Sequence, residues 1–262
     1  MSNAAKDFRV DSLVVQIYDS EAELALSAAT IVQKDLQQIL KHKQTAAILF
    51  ATGNSQIKFL DALTSLDNID WSRIICFHLD EYLGISDNHP SSFRYYLRER
   101  VEKLISPQKF HYIEGDTLQP LQECDRYSQL LRAQPIDLCL LGIGENGHLA
   151  FNEPTVADFD DSYTIKLVKL DSVNHQQQVK EGHFPNLESV PKYAFTLTIP
   201  MICAAKKIIC LAPGKRKAKV VKQLLEGKIT NEFPASILRN QSHANLLLDA
   251  DAAEQLTVIS EQ

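Results

Sequence analysis

The sequence predicts an α/β fold: a single-domain, open, mostly parallel twisted sheet with helices on both faces, a Rossmann-like three-layer αβα arrangement. Three observations predict it. Short apolar runs rich in Val and Ile alternate with longer segments of helical period, the pattern of βαβ units. The runs are near-continuously apolar, which suits strands covered on both faces. No repeat, low-complexity tract or Pro/Gly/Ser linker divides the chain, so residues 1–262 read as one domain.

Taken in order, SLVVQIY (12–18) is the first predicted strand. A helix follows from Ser20, with Glu23 three residues on as a capping box and Leu24, Ile31, Leu36, Ile39 and Leu40 tracing an apolar face. AAILFA (46–51) is a strand leading into a helix over 55–65, and RIICFHL (73–79) a strand followed by a helix over 91–105. KFHYI (109–113) precedes a helix over 119–132, and IDLCLLGIG (136–144) is the next strand. YTIKLVKL (163–170), YAFTLTI (193–199) and KIICLA (207–212) follow, then a helix over 215–226 and the strand ANLLLD (244–249). NEPTVADFDDS (152–162) and EGHFPNLESVPK (181–192) read as loops, the second as a candidate lid.

The composition, 45% hydrophobic and 23% charged, buries a full core and excludes disordered, collagenous and disulfide-scaffold classes. A net charge of −6 excludes a broad positive field for nucleic acid, so any anion site is local. The N-terminal MSNAAKDFRV lacks an apolar segment flanked by basic residues, and no stretch approaches the ~18 apolar residues of a membrane span. The five cysteines form no CxxC pair and mostly sit in apolar runs. A cytoplasmic protein with reduced thiols is expected.

Four constellations carry chemistry. Thr52, Gly53, Asn54 and Ser55 form a glycine-bearing turn between a strand and a helix, presenting backbone N–H groups, hydroxyls and a helix dipole to a phosphate. The plainer alternative is a serine cap beside a turn glycine. Asp80 and Glu81 end a buried strand, where partial desolvation lifts a carboxylate toward use as a general base. GIGENGH (142–148) matches GxGxxG formally, yet Pro154 follows too soon for the long helix of a dinucleotide site. It instead brings glycines, His148 and Glu153 together for proton exchange with a ligand. GKRKAK (214–219) enters a helix, where one lysine can turn inward toward a phosphate. HExxH, HxxxH and CxxC spacings are absent, so no metal and no organic cofactor is expected. These features describe a proton-transfer site for a small phosphorylated substrate: an isomerase, lyase or hydrolase on a sugar phosphate.

FHLDEYLGI (77–85), HPSSF (89–93) and LGIGENGHLAFNEP (141–154) resemble the signature stretches of the glucosamine-6-phosphate deaminases (isomerases). The resemblance continues through ATGNS (51–55), VPKYAFTLTI (190–199), PGKRKAKVVKQLLEG (213–227) and PASIL (234–238). It implies metal-independent aldose–ketose isomerisation with deamination, converting glucosamine 6-phosphate and water to fructose 6-phosphate and ammonia. On matching positions it implies Asp80 as the C2 base, His148 with Asn146 and Glu153 as the ring-opening relay, and Thr52–Ser55, Glu81 and Lys217 as substrate and phosphate contacts. Many members carry Asp where this chain has Asn146, so an amide replaces a carboxylate beside His148. The stretch 169–178 lacks an arginine near Val173 that some members point at the phosphate. Thr164 and Lys166 keep part of the basic set of allosteric members, so strong allosteric activation is not expected. Alternatives are a galactosamine-6-phosphate deaminase, a 6-phosphogluconolactonase, disfavoured by GENGHLAFNEP and the retained Asp80-Glu81-Tyr82, and a non-catalytic sugar-phosphate sensor. The expected partner is a small-molecule sugar phosphate, with neither nucleic acid nor membrane, and a homo-oligomer is allowed.

Overall fold

The structure, a computed structural model, describes residues 4–257 other than 171 and 181. Strands β1 (Lys6–Val10) and β2 (Leu13–Tyr18) form an antiparallel hairpin, followed by helix α1 (Glu21–His42). Ser20 starts α1 by accepting the Glu23 N–H at 3.3 Å, and the helix buries Leu24, Ala25, Ala28, Val32 and Leu36, a stripe of 3–4-residue spacing. Then come β3 (Ala46–Phe50), α2 (Ile57–Thr64), β4 (Ile74–His78) and the three-residue β5 (Asp80–Tyr82). Helix α3 (Phe93–Leu97) runs through a π-helical turn (Arg98–Glu102) into α4 (Lys103–Ile105), ahead of β6 (Lys109–Phe110), α5 (Pro120–Ala133) and β7 (Leu138–Gly142). The remainder is β8 (Ile165–Lys169), α6 (Ser172–Lys180), β9 (Tyr193–Leu197), α7 (Ile199–Cys203), β10 (Lys207–Leu211), α8 (Ala218–Glu226), β11 (Ala244–Asp249) and α9 (Ala250–Ala253).

The main sheet has the order β1-β2-β11-β10-β7-β3-β4-β6, parallel throughout except for the β1–β2 hairpin. Strand alternation feeds two cores. In β3, Ala47 and Leu49 join the cluster containing Tyr127 and Leu131 of α5 and Val220 and Leu224 of α8. Ile48 and Phe50 join the opposite cluster with Leu24 and Val32 of α1 and Phe59 and Leu60 of α2. Helices therefore cover both faces, the predicted α/β architecture. Each fully buried Leu, Ile or Phe contributes roughly 1.5–3 kcal/mol, so both layers hold the sheet.

Two expectations are corrected. The runs at 163–170 and 193–199 do not join the parallel sheet: β8 and β9 pair antiparallel with each other and with β5, in the order β5-β9-β8. An apolar run reports burial and leaves the partner strand unspecified. Within KFHYI only Lys109–Phe110 pairs with β4: the His111 N–H on the Cys76 carbonyl closes the ladder, and the Ile113 N–H turns instead to the His78 ring. The hairpin strand β1 adds an edge with a mostly exposed, polar sequence, KDFRV. A third apolar cluster lies under the small sheet and includes Tyr82, Phe151, Val168, Phe184, Val190 and Ala194.

Candidate active site

The chain passes from β3 outward to β4, and returns on the other side of β3 as β7, going on to β10. The loops leaving β3 and β7 at their carboxyl ends thus diverge, which opens a crevice at the reversal of strand order. A cavity of about 160 Å³ lies there, open to solvent. It is lined by Thr52, Gly53, Asn54 and Ser55 after β3, Leu79 and Asp80 after β4, Gly142, Ile143, Gly144 and His148 after β7, and Arg216 and Lys217 after β10.

One wall has the features that suit an anion. Thr52–Ser55 lead through a short 3₁₀ turn, Asn54–Gln56, into the amino end of α2, where unpaired N–H groups concentrate. Tyr96 lines the cleft and donates its hydroxyl hydrogen to the Gly53 carbonyl at 3.0 Å, fixing that turn. Lys217 is buried in the same wall, and its Nζ donates to the Ile143 carbonyl at 2.6 Å. The loop leading to Lys217 is pinned from behind, because the Asp249 carboxylate accepts the N–H groups of Gly214 at 2.9 Å and Ala252 at 2.8 Å.

Asp80 is 7% exposed and lines the cleft where the chain hands over from β4 to β5. Burial, and then the neighbouring Glu81 charge, push its pKa well above the ordinary carboxylate range. Glu81 faces the other way, as adjacent strand residues must. Its carboxylate accepts the N–H groups of Tyr82 (2.9 Å), Phe93 (3.1 Å) and Arg94 (2.8 Å) and the Ser92 hydroxyl (2.8 Å). Burial raises the Glu81 pKa, opposed by those bonds. Glu81 was expected among the substrate contacts; instead it lies outside the cleft lining and anchors the start of α3, whose Ser92 and Phe93 do line it.

His148 forms the third element. Its Nδ1 lies 2.7 Å from Asn146 Oδ1 and 3.0 Å from Glu153 Oε1, while Asn146 Nδ2 donates to Glu153 Oε2 at 2.5 Å. Asn146 and Glu153 sit behind the ring and do not line the cleft, whereas His148 does. With Nδ1 so engaged, Nε2 is the nitrogen left for chemistry. Two glycines make this possible. A Cβ on Gly144 would meet three ring atoms of His148 at 2.1–2.3 Å, and Gly147 has φ of 87° with the Phe233 ring 2.4 Å from where its Cβ would stand. Among the described residues no helix lies between β7 and β8, so the GxGxxG match lacks the helix that a dinucleotide site needs.

Of the residues singled out in the sequence, the fold brings Thr52, Gly53, Asn54, Ser55, Asp80, His148 and Lys217 onto one cleft, with Asn146 and Glu153 in support. It also adds Ser91, Ser92, Phe93, Tyr96, Phe151, Gln178, His183 and Arg216. HPSSF (89–93) and LGIGENGHLAFNEP (141–154) carry the signal for Ser91, Ser92, Phe93 and Phe151, the basic cluster that for Arg216 and the loop 181–192 that for His183, while Tyr96 and Gln178 are not singled out in the sequence. His183 brings part of the expected lid segment to the cleft and Gln178 reaches it from α6, while Glu181 and the side chain of Val173 lie outside the described residues. Lys166 is engaged within its own neighbourhood, its Nζ 2.7 Å from both the Val156 carbonyl and Asp161 Oδ2. Among the described residues no group of three or more His, Cys, Asp or Glu side chains is placed to hold a metal ion, and no helix is long and apolar enough to cross a membrane.

Residues 19–248 match the family model described as Glucosamine-6-phosphate isomerases/6-phosphogluconolactonase. The chain belongs to this family. A glucosamine-6-phosphate deaminase of Exiguobacterium sibiricum is 34% identical over 221 residues, 84% of this chain and 85% of that protein. A solved structure described as a monomeric glucosamine-6-phosphate deaminase is 33% identical and superposes with a TM-score of 0.84, over 92% of this chain and 99% of the other. A 6-phosphogluconolactonase of Thermotoga maritima is similar in fold alone, at 16% identity and a TM-score of 0.74 over 90% of this chain and 99% of the other. The mostly parallel α/β architecture is thus shared across both branches of the family, while the relatives near one-third identity bear the deaminase name.

Proposed function

We propose that the chain is a glucosamine-6-phosphate deaminase, converting α-D-glucosamine 6-phosphate and water to fructose 6-phosphate and ammonia. The observation that carries this reading is the placing of Asp80, a buried carboxylate of raised pKa, on the same cleft as His148 with its Asn146 and Glu153 supports and as the anion wall of Thr52–Ser55 and Lys217. The phosphate is held by the Thr52–Ser55 turn and Lys217, which fixes the sugar's far end. His148, through Nε2, moves a proton between the anomeric hydroxyl and the ring oxygen and opens the ring. Asp80 then removes the C2 proton of the open-chain amino sugar, giving an enolamine. Proton return at C1 gives the 2-imine of fructose 6-phosphate, and water replaces its nitrogen as ammonia. A base at C2 and a separate relay at O1 and O5 are the two groups this chemistry needs. A lactonase needs no carbon-acid base, so the desolvated Asp80 favours the deaminase branch.

The chain acts as a single domain, and the 33% identical relative described as a monomeric deaminase supports the same state here, the alternative being a homo-oligomer. Five free thiols support a reducing, cytoplasmic setting. Ammonia release from glucosamine 6-phosphate that is abolished in Asp80→Asn supports the proposal, and release that survives this substitution contradicts it.

A further inference from the structure

His78 ends β4 two residues before Asp80, at the point where the chain leaves one sheet for the other. Its neighbours are tied down almost completely. The Tyr127 hydroxyl accepts the His78 N–H at 2.9 Å and donates to the His78 carbonyl at 3.0 Å. Leu79 donates to the Phe50 carbonyl at 3.1 Å and accepts the Leu197 N–H at 2.9 Å. Asp80 itself pairs with Thr196 across β5 and β9. The His78 ring is fully buried, edge-on to Tyr112 and Tyr127 at 5.6 and 6.1 Å.

The tautomer of this ring follows from one bond. The Ile113 N–H donates to His78 Nε2 at 2.8 Å, so Nε2 is the acceptor and the proton sits on Nδ1. Burial holds the His78 pKa down to about 3, which keeps the ring neutral and that assignment in force at neutral pH. Nδ1 makes no hydrogen bond of ordinary geometry, and the group it faces is the main chain of Asp80. A buried N–H directed at one group and satisfied by nothing else is a costly feature for packing alone.

We infer that His78 is the positioning residue of the C2 base, its Nδ1–H holding the Asp80 main chain so that the carboxylate meets the substrate carbon in the reactive geometry. The inference rests on the reading of Asp80 as the base of a deaminase. On this inference the contact shortens in the reacting complex, as catalytic contacts commonly do.

Two isosteric substitutions separate this role from a structural one. In His78→Gln the side-chain amide reaches the position of Nε2, restoring the acceptor for Ile113 and removing the donor toward Asp80. In His78→Asn the amide nitrogen stands where Nδ1 stood, keeping the donor and losing the acceptor. Steady-state ammonia release and thermal melting are measured for wild type and both variants. The expected result is a His78→Gln protein with wild-type KM and melting temperature and kcat lowered about tenfold or more by the misplaced base, beside a His78→Asn protein that melts earlier yet keeps kcat within about threefold of wild type. Wild-type kcat in His78→Gln overturns the inference, as does a kcat loss that simply follows the loss of melting temperature. Failure of wild type itself to release ammonia overturns the deaminase reading and this inference together, and is seen before any substitution is made.

Discussion

Gly144→Ala isolates the role of His148 with a single methyl group. Gly144 does not adopt a left-handed backbone, so alanine is unstrained there in its own conformation. The new Cβ, however, would lie 2.1 Å from Cε1 and 2.2 Å from Nε2 of His148, against about 3.4 Å for ordinary contact. The ring must therefore retreat by more than 1 Å, and it has room to do so on its cleft side. That movement breaks the paired contacts of Nδ1 with Asn146 at 2.7 Å and Glu153 at 3.0 Å, so both tautomer and aim are lost. A misplacement of about 1 Å in a reacting group costs on the order of 100-fold in rate, or roughly 2.7 kcal/mol of transition-state stabilisation. Coupled assay of ammonia release should show kcat down about 100-fold, with KM within about threefold, since the anion wall is untouched. Thermal melting should change little, because the displaced ring is partly exposed at the cleft. A folded Gly144→Ala protein with kcat near that of wild type would refute the assignment of ring opening to His148.

Asp80→Asn should abolish turnover, by about 1,000-fold or more, and at the same time raise the melting temperature at pH 7 to 8. The folded pKa of Asp80 lies above its unfolded value of 3.8, so its contribution to stability is complete below 3.8 and is lost as pH rises through the folded value. A melting temperature unchanged or lowered in Asp80→Asn at neutral pH contradicts the desolvation argument. By the same shift, kcat/KM in wild type should rise with pH along a limb displaced above the ordinary carboxylate range, which a pH–rate profile checks. Lys217→Met should raise KM for the sugar phosphate by about 10- to 100-fold while lowering kcat less, and weaken inhibition by inorganic phosphate in parallel. Glu81→Ala leaves three main-chain N–H groups and the Ser92 hydroxyl without their acceptor, so it should destabilise the fold by about 3 to 5 kcal/mol in urea unfolding.

Much of this arrangement is legible in the sequence because strand ends and cleft coincide. The segments after AAILFA, RIICFHL, LCLLGIG and KIICLA each begin with unusual residues, and the parallel sheet sets β10, β7, β3 and β4 side by side with those ends together. What escaped detection has physical reasons. Asp80 and Glu81 are neighbours in sequence, but strand alternation sends one to the cleft and the other to the start of α3. The three-residue β5 is charged at two of three positions, and its burial is supplied by β9 and α3, which nothing local announces. Tyr96 reaches the site from a helix whose own pattern reads only as amphipathic, and Gln178 from α6, where the sequence predicts no helix. The apolar runs at Ile165–Lys169 and Tyr193–Leu197 signal strands correctly, while the choice of a second, antiparallel sheet depends on long-range pairing with Asp80–Tyr82. Asn146 reads in sequence as a weakened carboxylate; in the fold it bridges His148 and Glu153 and so keeps the relay aligned.

On the proposed mechanism this cleft abstracts the C2 proton of an amino-sugar phosphate through Asp80. The most direct test supplies the purified protein with glucosamine 6-phosphate, galactosamine 6-phosphate and 6-phosphogluconolactone in parallel, following ammonia, ketose phosphate and lactone hydrolysis for wild type and Asp80→Asn. Wild type is expected to release equal amounts of ammonia and fructose 6-phosphate from glucosamine 6-phosphate, and Asp80→Asn none. Lactone hydrolysis by wild type with silence on both amino sugars would contradict that mechanism.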